Sequence, residues 1–241
     1  MFVHVYLCAK KDVNINNCEN ERGLTKGKEY VTIIQDSFNL RIGSGFYASQ
    51  TENYKGNDPG KIGVDGSLEK EINLQIARRL KTYLEASDVT VVMTREDDRG
   101  LYEETDSSKK MADMKNRCGK IAEAEPDLVV SIHQNSYHQE SVSGGQVFYY
   151  KTSERGKRLA EILQRRFDYV LGEKNTRLAK PNGSYYLLLH VKQPIVIVEC
   201  GFLSNWKEAA NLNSGEYQDR LAWTIHVGIM EYLNSVQALS A

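Results

Sequence analysis

No apolar run in the 241 residues reaches the ~20 needed to cross a bilayer. The opening MFVHVYLCAKK is apolar for only a few residues, too short for a signal peptide, so no export signal is visible. Neither charge sign dominates: 31 Lys and Arg stand against 32 Asp and Glu. That balance removes the electrostatic reason to expect nucleic acid or an anionic membrane surface as partner. The four cysteines, Cys8, Cys18, Cys118 and Cys200, form no CxxC pair and no metal-ligand spacing. They read as unpaired thiols and do not fix a redox compartment. The five His residues form no tract, and no internal repeat is visible.

What remains is an ordinary globular composition in a chain long enough for one sizeable α/β domain or two small ones. Residues 1–55 are polar and aperiodic, with EYVTIIQD (29–36) as their one good strand candidate. From Gly56 the pattern becomes regular. After the turn-rich GNDPGKIGVDG, residues Leu68, Ile72, Ile76, Leu80 and Leu84 recur on one helical face. Ser67 is a candidate N-cap, and Glu69 and Glu71 lie in the first turn, where the helix dipole favours acids. VTVVMTR, DLVVSIHQN, GGQVFYYK and IVIVE read as strands. Between and after them run helices at about 108–124, over ERGKRLAEILQRRFDYVL (with Leu159, Ile162, Leu163 and Val170 inward), and over EYQDRLAWTIHVGIMEYLN. Strands alternating with helices predict a single-domain α/β sandwich with a mostly parallel twisted sheet flanked by helices.

Two buried strands end alike. LVVSI runs into His133 and IVIV into Glu199. In parallel sheets, ligands and catalytic groups gather at the carboxyl ends of strands. Glu69 opens the first helix just after a Gly-rich loop, where a strand-to-helix connection would place it. Together these residues suggest a His/Glu metal site with a separate carboxylate base, the arrangement by which zinc hydrolases activate water. Each residue also has a structural alternative. His133 could be a hydrogen-bonded core histidine. Glu69 could be a first-turn acid. Glu199 could be solvated, or paired with an Arg such as Arg95. Cys200, beside Glu199, has no His/Asn constellation placed around it and reads as packing at a strand end.

The wording of LEKEINLQIARRLKTYLE, VTVVMTRE, DLVVSIHQN, SGGQVFYY and IVIVECGFLSN, in that order, resembles the zinc-dependent N-acetylmuramoyl-L-alanine amidases of bacterial cell walls. The likeness runs from Gly56 to about Leu233. The charged insert TREDDRGLYEETDSSKKMADMKNR and the SGGQVFYY strand are most like the CwlD type, which acts in spore cortex maturation. The resemblance implies Zn2+ held by Glu69 and His133, Glu199 as catalytic acid/base, and hydrolysis of the lactyl–L-alanine amide of peptidoglycan. It also implies action at the cell wall, outside the cytoplasm.

One motif departs from the family. A short apolar strand should run into His-Gly-Gly, whose His is the first zinc ligand. The matching stretch here is NYKGNDPGKIG, with Tyr54 in place of that His and Lys55 in place of the first Gly. A phenol with a pKa of ~10 is a poor replacement ligand. His4 and His138 are the remaining candidates to be recruited. EYVTIIQD lies too far upstream to supply the strand unless residues 37–53 are an insertion. The expected organisation is therefore a divergent segment at 1–55, mistranslated or disordered, a catalytic domain at 56–236, and a tail at 237–241. A chain without its first strand would expose a sheet edge or gap. A chain short of its first ligand could be a metal-deficient protein that only binds peptidoglycan.

Overall fold

The sheet is built mainly on short runs of buried apolar residues. A computed structural model describes residues 29–35, 58–171 and 175–238. In chain order these residues form β1 (Tyr30–Ile34), α1 (Glu69–Glu85), β2 (Thr90–Met93), α2 (Lys109–Ala124), β3 (Leu128–Asn135) and β4 (Gln146–Tyr150). There follow α3 (Glu154–Leu171), β5 (Lys180–Asn182), α4 (Tyr186–His190), β6 (Ile195–Phe202), α5 (Trp206–Leu212) and α6 (Gly215–Gln237). The strands lie in the order β2-β1-β3-β6-β4-β5. Only the β4–β6 ladder is antiparallel among the described strands, so the sheet is mostly parallel as expected. Strand β6 is buried at all eight positions, which is why its sequence reads IVIV without alternation.

The expectation of a missing first strand is corrected by β1. Residues 30–34 pair in parallel with β2 on one side and β3 on the other, with Val31 opposite Val91 and Leu128. The β-branched run Val31-Thr32-Ile33-Ile34 is fully buried there. Asp127 Oδ2 accepts the Tyr30 N–H at 2.9 Å and ties the strand's start to the residue before β3. The slot in the sheet is filled, and the predicted gap does not arise. The boundary at 55/56 lies outside the described residues.

Each face of the sheet carries its own core. Val130, Ile132, Val147, Val196 and Val198 pack under α1, α3 and α6. Helix α1 contributes Ile72, Ile76, Leu80 and Leu84, each worth about 1.5–3 kcal/mol if fully buried. Helix α6 can approach α3 closely because of Gly228, where a Cβ would fall 2.6 Å from Leu163 Cδ2. On the other face Val129, Phe148, Ile195 and Ile197 pack with Met114 and Ile121 of α2 and with Leu187 and Leu188 of α4.

The start of α1 differs from the cap expected at Ser67. The N-cap position is Leu68, which has no side-chain oxygen to offer. Ser67 Oγ instead bonds Asp65 Oδ1 at 2.6 Å. A side-chain cap is not needed, because the preceding loop folds back over the helix end. The Glu69 N–H donates to Lys61 O at 3.0 Å and the Lys70 N–H to Pro59 O at 3.1 Å.

Candidate active site

That fold-back aims the first helical side chain at the carboxyl ends of the strands. Glu69 is an acid in the first turn of α1, as expected, and it is buried, 1% exposed. Its Oε2 accepts the Lys61 N–H at 2.8 Å, and its Oε1 accepts the Gln134 N–H at 3.2 Å. The same Oε1 lies 3.1 Å from His133 Nδ1. His133 is itself fully buried, and its Nε2 lies 3.0 Å from Ser131 Oγ. In the tautomer with the proton on Nδ1, the imidazole donates to Glu69 and accepts from Ser131. Ser131 and His133 share a face because they are two residues apart on one strand.

Glu199 is the register partner of His133 across the parallel β3–β6 ladder, so both side chains leave the same face of the sheet. On the far side of β6, Gln146 stands opposite Glu199 in the antiparallel β4–β6 ladder. His133, Glu199 and Gln146 therefore form a polar row across three neighbouring strands. The alternative pairing of Glu199 with Arg95 is not the one described. Arg95 donates to the carbonyls of Gln35, Asp97 and Lys70, which anchors the end of β1 to the start of α1.

The donor atoms fit two corners of a zinc site. Bonds of about 2.0–2.1 Å in tetrahedral geometry place neighbouring ligand atoms about 3.3 Å apart. The observed separation of His133 Nδ1 and Glu69 Oε1 is 3.1 Å. A third corner is not supplied among the described residues, where no group of three or more His, Cys, Asp or Glu comes together. Tyr54 and His4 lie outside the described residues. His138 is exposed after β3, its ring 4.1 Å from that of Tyr137. Cys200 packs into the core under α1, α3 and α6, and burial pushes its thiol well above the ordinary range, so it is no nucleophile.

A second cluster borders the row and was not foreseen. Glu208, at the start of α5, accepts the Gly144 N–H at 2.8 Å and the Phe202 N–H at 2.7 Å. Burial raises its carboxyl above the ordinary value, and the two amides pull the other way. The Arg177 guanidinium lies 4.5 Å over the Phe202 ring, and burial lowers its pKa below the ordinary arginine value. These residues come from two connections, from the end of β6 and from the first turn of α5, so only the folded register brings them together.

Residues 54–231 match the family model described as N-acetylmuramoyl-L-alanine amidase. The chain belongs to the N-acetylmuramoyl-L-alanine amidase family. Within this amidase family it is 37% identical over 184 residues to the germination-specific N-acetylmuramoyl-L-alanine amidase of Bacillus subtilis, spanning 73% of this chain and 77% of that one. It is 34% identical over 177 residues to the B. subtilis amidase LytC, covering 73% of this chain but only 33% of that longer protein. Among solved structures, the CwlD amidase from Clostridioides difficile, determined in complex with the GerS lipoprotein, superposes with a TM-score of 0.75 at 33% identity. That superposition covers 86% of this chain and 100% of the C. difficile chain. The single α/β domain and its mixed six-stranded sheet are those of amidase catalytic domains.

Proposed function

We propose that this amidase hydrolyses the amide between the lactyl group of N-acetylmuramic acid and L-alanine, with Glu199 carrying the proton. One observation carries the reading: Glu199 is the register partner of His133, and His133 touches Glu69 at 3.1 Å. A proton carrier and two metal-type donors thus lie side by side at the carboxyl ends of adjoining strands. Zinc, when held by Glu69 and His133, supplies the Lewis acid for the amide carbonyl and the attacking water.

The chain's own residues do the rest. Glu199 accepts a proton from water as the C–O bond forms, then delivers it to the leaving nitrogen of L-alanine as the C–N bond breaks. Its burial keeps bulk water from competing for that proton. Ser131 holds the imidazole of His133 at the nitrogen away from Glu69, which fixes the ring's orientation. The substrate places the reaction outside the cytoplasm. Likeness to the germination-specific and CwlD amidases supports spore cortex peptidoglycan as the target. The lipoprotein complex of the C. difficile relative supports a protein partner for this chain too.

A second reading is favoured by the donor count. Among the described residues, Glu69 and His133 are two ligands where catalytic zinc takes three. A chain with Tyr54 in the remaining place would bind zinc weakly and act as a peptidoglycan-binding protein. Elemental analysis of the purified chain and of Tyr54→His, together with release of the L-alanine amine from muropeptides, separates the two. About one zinc per molecule with amine release in the unaltered chain supports the amidase. Zinc and turnover gained only by Tyr54→His supports the second reading. A chain that takes up zinc and releases no amine counts against the proposed hydrolysis.

A further inference from the structure

The polar row does not end at Gln146. The side-chain amide of Gln146 turns outward, with Nε2 donating to Leu178 O at 2.9 Å and Oε1 accepting from Arg177 at 3.5 Å. Arg177 is held from three sides. Its Nε donates to Ser143 O at 2.8 Å, its guanidinium lies over the Phe202 ring, and its NH1 faces Gln146. Gly144 provides the room. At its φ of +100° a side chain would be strained, and a Cβ there would fall 2.5 Å from Asn175 Oδ1 and 3.2 Å from Arg177 Nε.

A guanidinium has five N–H donors, and these bonds use two. Both oxygens of Glu208, the nearby acid, already accept backbone amides from Gly144 and Phe202. Arg177 is thus a pinned, half-buried cation whose outer NH2 edge makes no bond to the described residues, at the end of a row that begins with the proton carrier. Such a fork is shaped for a carboxylate.

We propose that Arg177 is a specificity residue that binds the α-carboxylate of the glutamate following L-alanine in the stem peptide. The inference rests on the peptidoglycan reading above. The lengths agree. Gln146 is one strand from Glu199, about 4.8 Å, and Arg177 lies a Gln side chain and one hydrogen bond further, which puts the guanidinium on the order of 10 Å from the proton carrier, the reach of the carboxylate plus its own hydrogen bond. In the substrate, that carboxylate lies two residues from the scissile nitrogen, about 7 Å when extended. The competing role is a tie that fastens the segment before β5 to the β3–β4 connection and to β4, and it predicts no preference between ligands.

The test compares two ligands, N-acetylmuramoyl-L-alanyl-D-glutamate with a free α-carboxylate and its α-carboxamide. Binding is measured by calorimetry on the full chain carrying Glu199→Gln, so that neither ligand is consumed. The free acid is expected to bind about 10- to 100-fold more tightly, the range of one charge-assisted pair. Adding Arg177→Gln should bring the acid down to the amide's affinity and leave the amide's affinity unchanged. Arg177→Lys should keep part of the preference, because it retains the charge without the fork. Equal affinity for the two ligands with Arg177 in place overturns the inference while leaving the peptidoglycan reading standing. Arg177→Gln weakening both ligands equally also overturns it, in favour of the structural tie. Binding of neither ligand removes the peptidoglycan reading, and the inference with it.

Discussion

The face of the sheet under α1, α3 and α6 is apolar through Val130 and Ile132 on β3, ahead of Gln134, and through Val196, Val198 and Cys200 on β6. The opposite face of the same two strands begins with Val129, Ile195 and Ile197 and then changes to Ser131, His133 and Glu199. Strand alternation is what allows this. One residue along β6 separates Val198, packed in the larger core, from Glu199, which stands beside His133. On the proposed reading, stability and chemistry are carried by the same strand on opposite sides, so a substitution on one face should leave the other's property nearly untouched. The comparison can be broken by any variant that moves both together.

The largest effect is expected at Glu199. Replacing it with Gln keeps the volume and removes the proposed proton carrier. Amide hydrolysis should fall about 10²- to 10⁴-fold, the usual contribution of general acid–base catalysis. Zinc content and melting temperature should stay close to those of the parent. A steep loss of melting temperature would mean that the carboxylate holds the sheet together, and the division between faces would fail.

Next comes the ion pair of Asp113 and Arg117 on α2, with side-chain exposures of 0% and 3%. Asp113 also accepts the Leu101 N–H, and Arg117 donates to Thr94 Oγ1, so each partner braces the charged connection between β2 and α2. Arg117→Met leaves a buried carboxylate alone and should cost about 3–5 kcal/mol in urea denaturation. Leu80→Ala tests the opposite face. It empties part of the larger core and should cost about 2–5 kcal/mol, with turnover per folded molecule unchanged. Slower turnover in the surviving fraction would show that α1 transmits strain to Glu69 at its start.

What could be read in the sequence follows the same division. Ile72, Ile76, Leu80 and Leu84 betray α1 because a buried helical face repeats locally. The unbroken runs ending in His133 and Glu199 betray β3 and β6 because both strands are covered on both sides. Glu69 and His133 stand out in the sequence only as matching positions at a helix start and a strand end, and the fold brings the two within hydrogen-bond reach. The place of β1 was not legible. Its partners, Thr90 and Leu128, lie far along the chain, and residues 36–57 hide the expected spacing. Strand β5, with the sequence KPN, lacks the β-branched residues that mark a strand. Gln146 and Arg177 escaped notice because their meeting depends on the antiparallel β4–β6 register and an irregular connection, neither of which leaves a local signature.

The smallest effect lies behind the larger core, where α1 meets α6. His226 is buried against the rings of Tyr83 and Trp223, and its Nε2 lies 2.9 Å from Ser87 Oγ. Burial lowers its pKa from the ordinary 6.5. The folded state therefore binds fewer protons at this site than the unfolded chain does just below pH 6.5. The stabilisation is complete above that pH and is lost as pH falls through the folded-state value. The urea midpoint of the parent should decline across that window, and His226→Asn should flatten the decline without altering amide hydrolysis. A variant that keeps the full decline would assign the pH dependence to other groups. One that also slows hydrolysis would link the α1–α6 seam to the site across the sheet and so breach the separation of the two faces.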